Sequence, residues 1–271
     1  MTFQFHNRAL HFKDEGQGPA LILLHGYPES LAIWDDYAHE LSKWFRIIRP
    51  DLPGLGNSAQ IAEVHTMELM AEAVQALLHH LGVKKCVMIG HSMGGYVTLA
   101  FVEQYPEMVN GFGLFHSMAQ DDTREGKINR DRTSEMIAKN RSGFLNQFIP
   151  NLFAPENQTK YLTQIHALQK IGSKASPEAL IACMQGMKLR KKRLHVLENS
   201  RVPVLFILGF HDSKMPYDKV LAQTVLPAVC HTLTLKNAAH MGFIEERDVT
   251  MITVKSFTAG CYQLSEANHS A

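Results

Sequence analysis

Apolar and polar positions alternate at the start of the chain and then change rhythm. Phe3 to His6 and Ala9 to Lys13 alternate as two half-buried strands would, joined at Asn7-Arg8. Gly16 to Pro19 marks the next turn. Ala20 to Leu24 is then a continuous apolar run, the pattern of a strand covered on both faces. Ser30 to Trp44 places Leu31, Trp34, Tyr37, Ala38 and Leu41 on one helical face. Further strands are expected at Phe45 to Ile48, Cys86 to Ile89 and Val109 to Phe115. Helices are expected at Thr66 to Leu81, capped by Thr66 and stopped by Gly82, and at Ser92 to Gln104.

The alternation then stops. From Ala119 to Asn199 only helical patterns occur, broken by Pro150, Pro155 and Pro177. It resumes with a strand at Pro203 to Leu208, a helix at Pro216 to Leu226, a strand at Thr232 to Leu235 and a helix at Glu245 to Tyr262. The last residues, from Ser265, read as a frayed tail. Strands alternating with helices predict an α/β fold: a mostly parallel eight-stranded sheet flanked by helices. Residues 1–118 and 200–271 form its core, and residues 119–199 are an inserted helical unit.

Composition narrows the function. The 271 residues are long enough to bury a core without disulfides or metals. Lys plus Arg is 27 against 26 acidic residues, a net charge of +1, which excludes a globally basic nucleic-acid binder. The expected partner is a small-molecule substrate, with no nucleic acid. No apolar run approaches a membrane span, the longest being Pro203 to Phe210. The N-terminus reads as a first strand with no secretory signal, so a cytoplasmic location is expected. Cys86, Cys183, Cys230 and Cys261 make no CxxC pair and read as reduced thiols. The 15 histidines include no HExxH or zinc spacing, so neither metal nor cofactor is expected.

Gly90-His91-Ser92-Met93-Gly94 fits G-x-S-x-G and lies directly between an expected strand and an expected helix. Such a turn forces the serine into strained geometry and leaves its hydroxyl exposed above the sheet, with glycines supplying room. Ser92 is therefore the candidate nucleophile. A serine needs a base, and His240 lies in a loop between the last strand and last helix, at the carboxyl end of a parallel strand. The histidine needs an orienting carboxylate. Asp212 supplies it from the turn after Pro203 to Leu208, which gives the order Ser92, Asp212, His240. An oxyanion needs two N–H donors. Met93, just after the nucleophile, provides one, and Tyr27, in His25-Gly26-Tyr27-Pro28 after the third strand, provides the other. His211 reads as a neighbour of Asp212, and Asp51 to Ser58 as scaffold.

These motifs together, HGYP, DLPGLGNS, GHSMGG, GFHD followed by MP, and AAHMGFIE, resemble the α/β-hydrolase-fold serine hydrolases in content and order. The resemblance covers nearly the whole chain except residues 119–199, which correspond to the family's cap. His25 to Trp34 resembles the epoxide hydrolase and dehalogenase branch, whose elbow carries an aspartate. Ser92 stands there instead, and an alkyl-serine ether would be a dead end. The resemblance thus implies acyl chemistry: a carboxylic ester or thioester hydrolase, or alternatively a lactonase, a cofactor-free haloperoxidase-like enzyme or a carbon–carbon bond hydrolase. A ligand receptor that keeps the fold is a further reading.

Two features stay open at this level. Phe144, Phe148, Phe153, Tyr161, Met184 and Met187 line either a pocket or, as their spacing favours, the cap's own core. Lys188 to Arg193 carries five positive charges in six residues. It is either an anion site or, as charge runs usually are, a solvated helix end.

Overall fold

The computed structural model describes Met1–His269. β1 (Thr2–Phe5) and β2 (Arg8–Glu15) form an antiparallel hairpin. Its turn is His6-Asn7, with φ of 48° and 59°, one step earlier than Asn7-Arg8. Two successive left-handed residues match the twist of a two-residue hairpin, which is why the turn settles there. β3 (Ala20–Leu24), β4 (Arg46–Pro50), β5 (Cys86–His91), β6 (Val109–Phe115), β7 (Val204–Gly209) and β8 (Cys230–Leu235) complete the sheet. The eight strands run in the order β1-β2-β4-β3-β5-β6-β7-β8, with β2 antiparallel to β4 and every later pairing parallel. β3, β5, β6 and β7 are buried along their whole length, as their mostly apolar sequences require.

Helices cover the sheet. The segment after β3 is a 3₁₀ turn, Leu31–Trp34, followed by α1 (Asp35–Leu41), shorter than the periodicity suggests. The turn is tight because Ser30 caps it and the Asp51 carboxylate takes the Leu31 N–H at 2.7 Å. α2 (Met67–His80) is capped by Thr66 Oγ1, which accepts from Leu69 N–H at 3.2 Å, and stops before Gly82 at φ 68°. α3 (Met93–Gln104) is buried over nearly its whole circumference between the sheet and α2.

Between β6 and β7 lie α4 (Arg124–Phe148), α5 (Leu162–Gly172), α6 (Pro177–Leu189) and α7 (Leu194–Glu198). α4 is interrupted at Asn140 (φ −156°, ψ 79°), whose side chain accepts from Gly143 N–H at 2.9 Å. α4 and α6 pack on each other. The chain closes with α8 (Tyr217–Leu221), α9 (Gly242–Glu245) and α10 (Arg247–His269). α8 ends sooner than Leu226. α10 carries on past Ser265, so that stretch is helical as far as His269, while Ser270 and Ala271 lie outside the described residues.

The basic run divides: Lys191 and Lys192 are exposed, as a solvated helix end would be, whereas two of its arginines are buried. Arg190 is 5% exposed and Arg193 only 2%. Arg193 binds Glu68 of α2 at 2.7 Å and Glu103 of α3 at 3.0 Å. Arg190 binds Asp122 at 2.8 Å and lies over the Tyr96 ring, 4.2 Å from its centroid. Buried guanidiniums must be paired, and these pairs fasten the helical block to the sheet's own helices.

Candidate active site

β5 ends at His91 and α3 begins at Met93, leaving Ser92 alone at the bend with φ 50° and ψ −115°. Such a backbone costs a non-glycine residue about 1–3 kcal/mol, so the surroundings must hold it. Ser92 N–H donates to Phe115 O at 2.9 Å, and Ser92 O accepts from Gly95 N–H at 3.0 Å and Ser117 Oγ at 2.8 Å. The flanking glycines are needed because the first turn of α3 lies against both β5 and the end of β3: a methyl group on Gly90 would sit 2.2 Å from Gly94 O. A methyl group on Gly94 would sit 2.6 Å from the carbonyl oxygens of Leu24 and His25. Met93 opens α3, so its N–H has no acceptor within the helix.

Asp212 leaves the end of β7 and is 4% exposed. One carboxylate oxygen, Oδ1, accepts the N–H groups of Lys214 (2.8 Å) and Met215 (2.9 Å). The other, Oδ2, accepts from His240 Nδ1 at 2.8 Å and His116 Nδ1 at 3.2 Å. Burial alone would raise the pKa, but the charge of His240 and the hydrogen bonds from His116 and His240 outweigh it and hold the carboxyl well below the usual range. The His240 contact fixes its proton on Nδ1 and leaves Nε2 as the basic nitrogen. The His240 backbone is tied on both sides: its N–H donates to Leu152 O at 2.9 Å, and its O accepts from His91 Nε2 at 2.9 Å.

His116 stands at the end of β6 with φ 48°. Its Nε2 accepts from Gly242 N–H at 3.2 Å while Nδ1 donates to Asp212. That tautomer is neutral, and burial pushes its pKa down to about 4. His116, Asp212 and His240 place possible ligand atoms within 4.8 Å of one another, a grouping that could also hold a cation. Hydrogen bonds already engage the shared Oδ2 and both His116 nitrogens.

The loop after β3 approaches the bend from the other side. Gly26 N–H donates to Glu29 Oε2 at 2.6 Å, and the same oxygen accepts from His91 Nδ1 at 3.0 Å. Tyr27 follows, joined to Pro28 by a cis bond, its ring packed against Phe144 and Phe148. Its hydroxyl is buried with no partner among the described residues, and burial raises it well above the usual tyrosine range.

Tyr27, Ser92 and His240 line one cavity of about 530 Å³. Tyr96, Phe148, Met184, Met187 and Met215 supply its apolar walls. Arg130, Lys214 and Lys219 stand with Asp122 and Glu125 around the rest. Of the six apolar residues singled out in the helical block, Phe148, Met184 and Met187 reach the cavity, whereas Phe144 and Phe153 are buried in the core. Tyr161 instead donates to Glu245 O at 3.2 Å.

The structure brings Asp212 and His240 into contact and sets Ser92 and Tyr27 on the cavity they share with His240. Asp51 serves as scaffold, taking N–H groups of Leu31 and Asn57 and His11 Nδ1. His211 points away toward Glu156 at 3.7 Å. Sequence reasoning missed Glu29, His91 and His116. His116 had one available signal: it lies at the carboxyl end of a parallel strand, where such sheets carry their ligand crevice.

Residues 19–247 match the family described as alpha/beta hydrolase fold. A thermophilic esterase from Thermogutta terrifontis, solved with malate bound, is 30% identical, superposes with a TM-score of 0.89, and 94% of each chain is covered. The pimeloyl-[acyl-carrier protein] methyl ester esterase of Aeromonas salmonicida is 26% identical over 264 residues, which are 89% of this chain and 96% of that protein. An uncharacterized Mycobacterium tuberculosis protein is 32% identical over 112 residues, so that match spans 40% of this chain and about a third (33%) of the relative.

Proposed function

This chain belongs to the α/β-hydrolase fold family, and from that premise we propose that it is a serine hydrolase of small carboxylic esters or thioesters. In this reading Ser92 is the nucleophile, His240 the base and Asp212 the carboxylate that orients it. The observation that carries the reading is the 2.8 Å bond from His240 Nδ1 to a carboxylate that four donors hold ionised. His240 Nε2 takes the Ser92 proton as Oγ attacks the carbonyl carbon. The N–H groups of Met93 and Tyr27 hold the oxyanion. His240 then returns the proton to the leaving group, and water repeats both steps on the acyl-enzyme.

Residues 119–199 act as the cap, with Phe148, Met184 and Met187 setting the acyl pocket. A serine at the elbow supports attack on sp² carbon and fits poorly with epoxide opening. The cations that line the cavity, Arg130, Lys214 and Lys219, favour a second reading, a lactonase or carbon–carbon hydrolase whose substrate carries a carboxylate. Among the described residues no helix is long and apolar enough to cross a membrane. The four thiols are free, which supports a reducing, cytoplasmic setting.

The test is a panel of p-nitrophenyl esters, lactones and diketo acids against the wild type and Ser92→Ala. Multiple turnover of esters, reduced by about 10⁴-fold or more in the variant, is the expected result. Equal turnover in both proteins would end the proposal. A single slow turnover with strong ligand stabilisation would make the chain a receptor.

A further inference from the structure

Glu29 and His91 lie beneath the site, and neither reaches the cavity. Both are buried, at 3% and 0% exposure. Each His91 nitrogen faces an oxygen that accepts when Glu29 is ionised: Glu29 Oε2 at 3.0 Å and His240 O at 2.9 Å. A neutral imidazole carries one N–H and would leave a lone pair against one of those oxygens. The Gly26 N–H, directed at the same Oε2, favours an ionised Glu29, and opposite a carboxylate the ring is an imidazolium. Burial works against both charges, but each partner stabilises the other, which raises His91 and lowers Glu29. The second carboxylate oxygen, Oε1, is buried with no partner among the described residues, so the hydrogen bonds to Glu29 converge on Oε2, from His91 and the Gly26 N–H.

The pair joins segments that are remote in the chain. Glu29 is 62 residues from His91, and His91 is 149 from His240. Glu29 Oε2 also takes the Gly26 N–H at 2.6 Å, which sets the His25–Gly26 peptide, one peptide ahead of the one that carries the Tyr27 N–H. His91 immediately precedes Ser92. The space at Gly26 is closed by the same atoms: a methyl there would lie 2.8 Å from His91 Nδ1, 2.9 Å from Glu29 Oε2 and 3.0 Å from Ser92 Cβ. An apolar pair of the same volume would fill this site without burying two charges, and such replacements are often neutral or stabilising. What an apolar pair cannot supply is directed bonds to Gly26 N–H and His240 O.

We propose that Glu29 and His91 are positioning residues: a buried ion pair that registers the oxyanion loop, the nucleophile bend and the His240 loop against one another. The proposal rests on the serine-hydrolase reading above. A misplacement of these groups by about 1 Å costs on the order of 100-fold in rate.

The experiment uses Glu29→Gln, Glu29→Asp and His91→Gln, with active sites titrated by a fluorophosphonate. Glu29→Gln and His91→Gln are expected to lower kcat per titrated site by about 100-fold while KM for p-nitrophenyl butyrate changes by less than about threefold. Affinity for a trifluoromethyl ketone, whose hemiketal oxyanion needs the same donors, should fall by the same factor as kcat. Glu29→Asp should recover part of the loss. In ¹⁵N-histidine NMR, the wild type should show one ring that stays protonated on both nitrogens to higher pH than a free imidazole, and both Gln variants should lack it. A kcat per titrated site within threefold of wild type in both variants would overturn the positioning role, as would a neutral His91 ring. Absence of ester turnover in the wild type, with the imidazolium signal present, would instead fail the hydrolase reading and the role built on it.

Discussion

Acidification to pH 5 should destabilise this protein through histidines that cannot accept a second proton, and His116 offers the cleanest case. Its Nδ1–H is committed to Asp212 and its Nε2 accepts from Gly242 N–H, so a proton on Nε2 would face another proton. Burial keeps its pKa near about 4 in the folded state against 6.5 in the unfolded chain. Between those values the unfolded chain holds the proton and the folded one does not. Stability therefore falls as pH falls through that window, and is fully present above 6.5. At pH 5 the loss from His116 is about 2 kcal/mol. His65, buried between the Asp51 loop and α6 and also lowered by burial to about 4, contributes a similar amount. His91 acts with the opposite sign: its pKa is raised, so its contribution is present at acid pH and lost on going alkaline. Urea midpoints by tryptophan fluorescence at pH 7.5 and pH 5.0 measure the sum, provided m is unchanged. The difference between the two pH values should shrink by about 2 kcal/mol in His116→Gln. An identical difference in wild type and variant would refute the assignment of the neutral tautomer.

Other substitutions probe separate parts of the argument. Asp212→Asn removes the acceptor for His240 Nδ1–H and should lower kcat by about 10⁴-fold with little change in KM, read from steady-state hydrolysis at pH 7.5. Arg193→Ala leaves Glu68 and Glu103 without their buried partner. It should cost about 2–4 kcal/mol in urea unfolding, at the lower part of the range for broken buried pairs because both glutamates are partly exposed. Arg193→Lys should recover little of that, since one ammonium cannot serve both carboxylates in the same geometry. Met184→Ala enlarges the cavity wall and should raise the octanoate-to-butyrate ratio of kcat/KM by about tenfold for p-nitrophenyl esters.

The bend at Ser92 was legible because its demands are local. Gly90 and Gly94 are dictated by contacts within a few residues or with the neighbouring strand, and the strand and helix on either side announce themselves by periodicity. The Asp212 and His240 loops were legible by chain order and by their place at strand ends. The burial of Arg190 and Arg193 within the basic run was missed because what surrounds them is remote: Glu68 is 125 residues from Arg193, and no local pattern reveals that pairing. Glu29 and His91 stood inside recognised motifs, yet their link exists only once β3 and β5 lie side by side. His116 shares a carboxylate with His240 from the next strand over, which composition and spacing cannot express.

The attachment of the His240 loop to Leu152 changes what counts as a module. Drawn along the chain, the proposed cap is one insertion that could be exchanged for another at residues 119 and 199. Mechanically it is not. Leu152 O holds the His240 N–H, and Glu245 binds Ala154 N–H and Asn157 Nδ2 with one oxygen while the other takes Ala239 N–H. The Leu152–Asn157 stretch is thus hardware of the core carried on the insertion. A chimera that replaces the whole insertion would remove the support of the proposed base, His240, whereas one that grafts only α4 and α6 would leave that support in place.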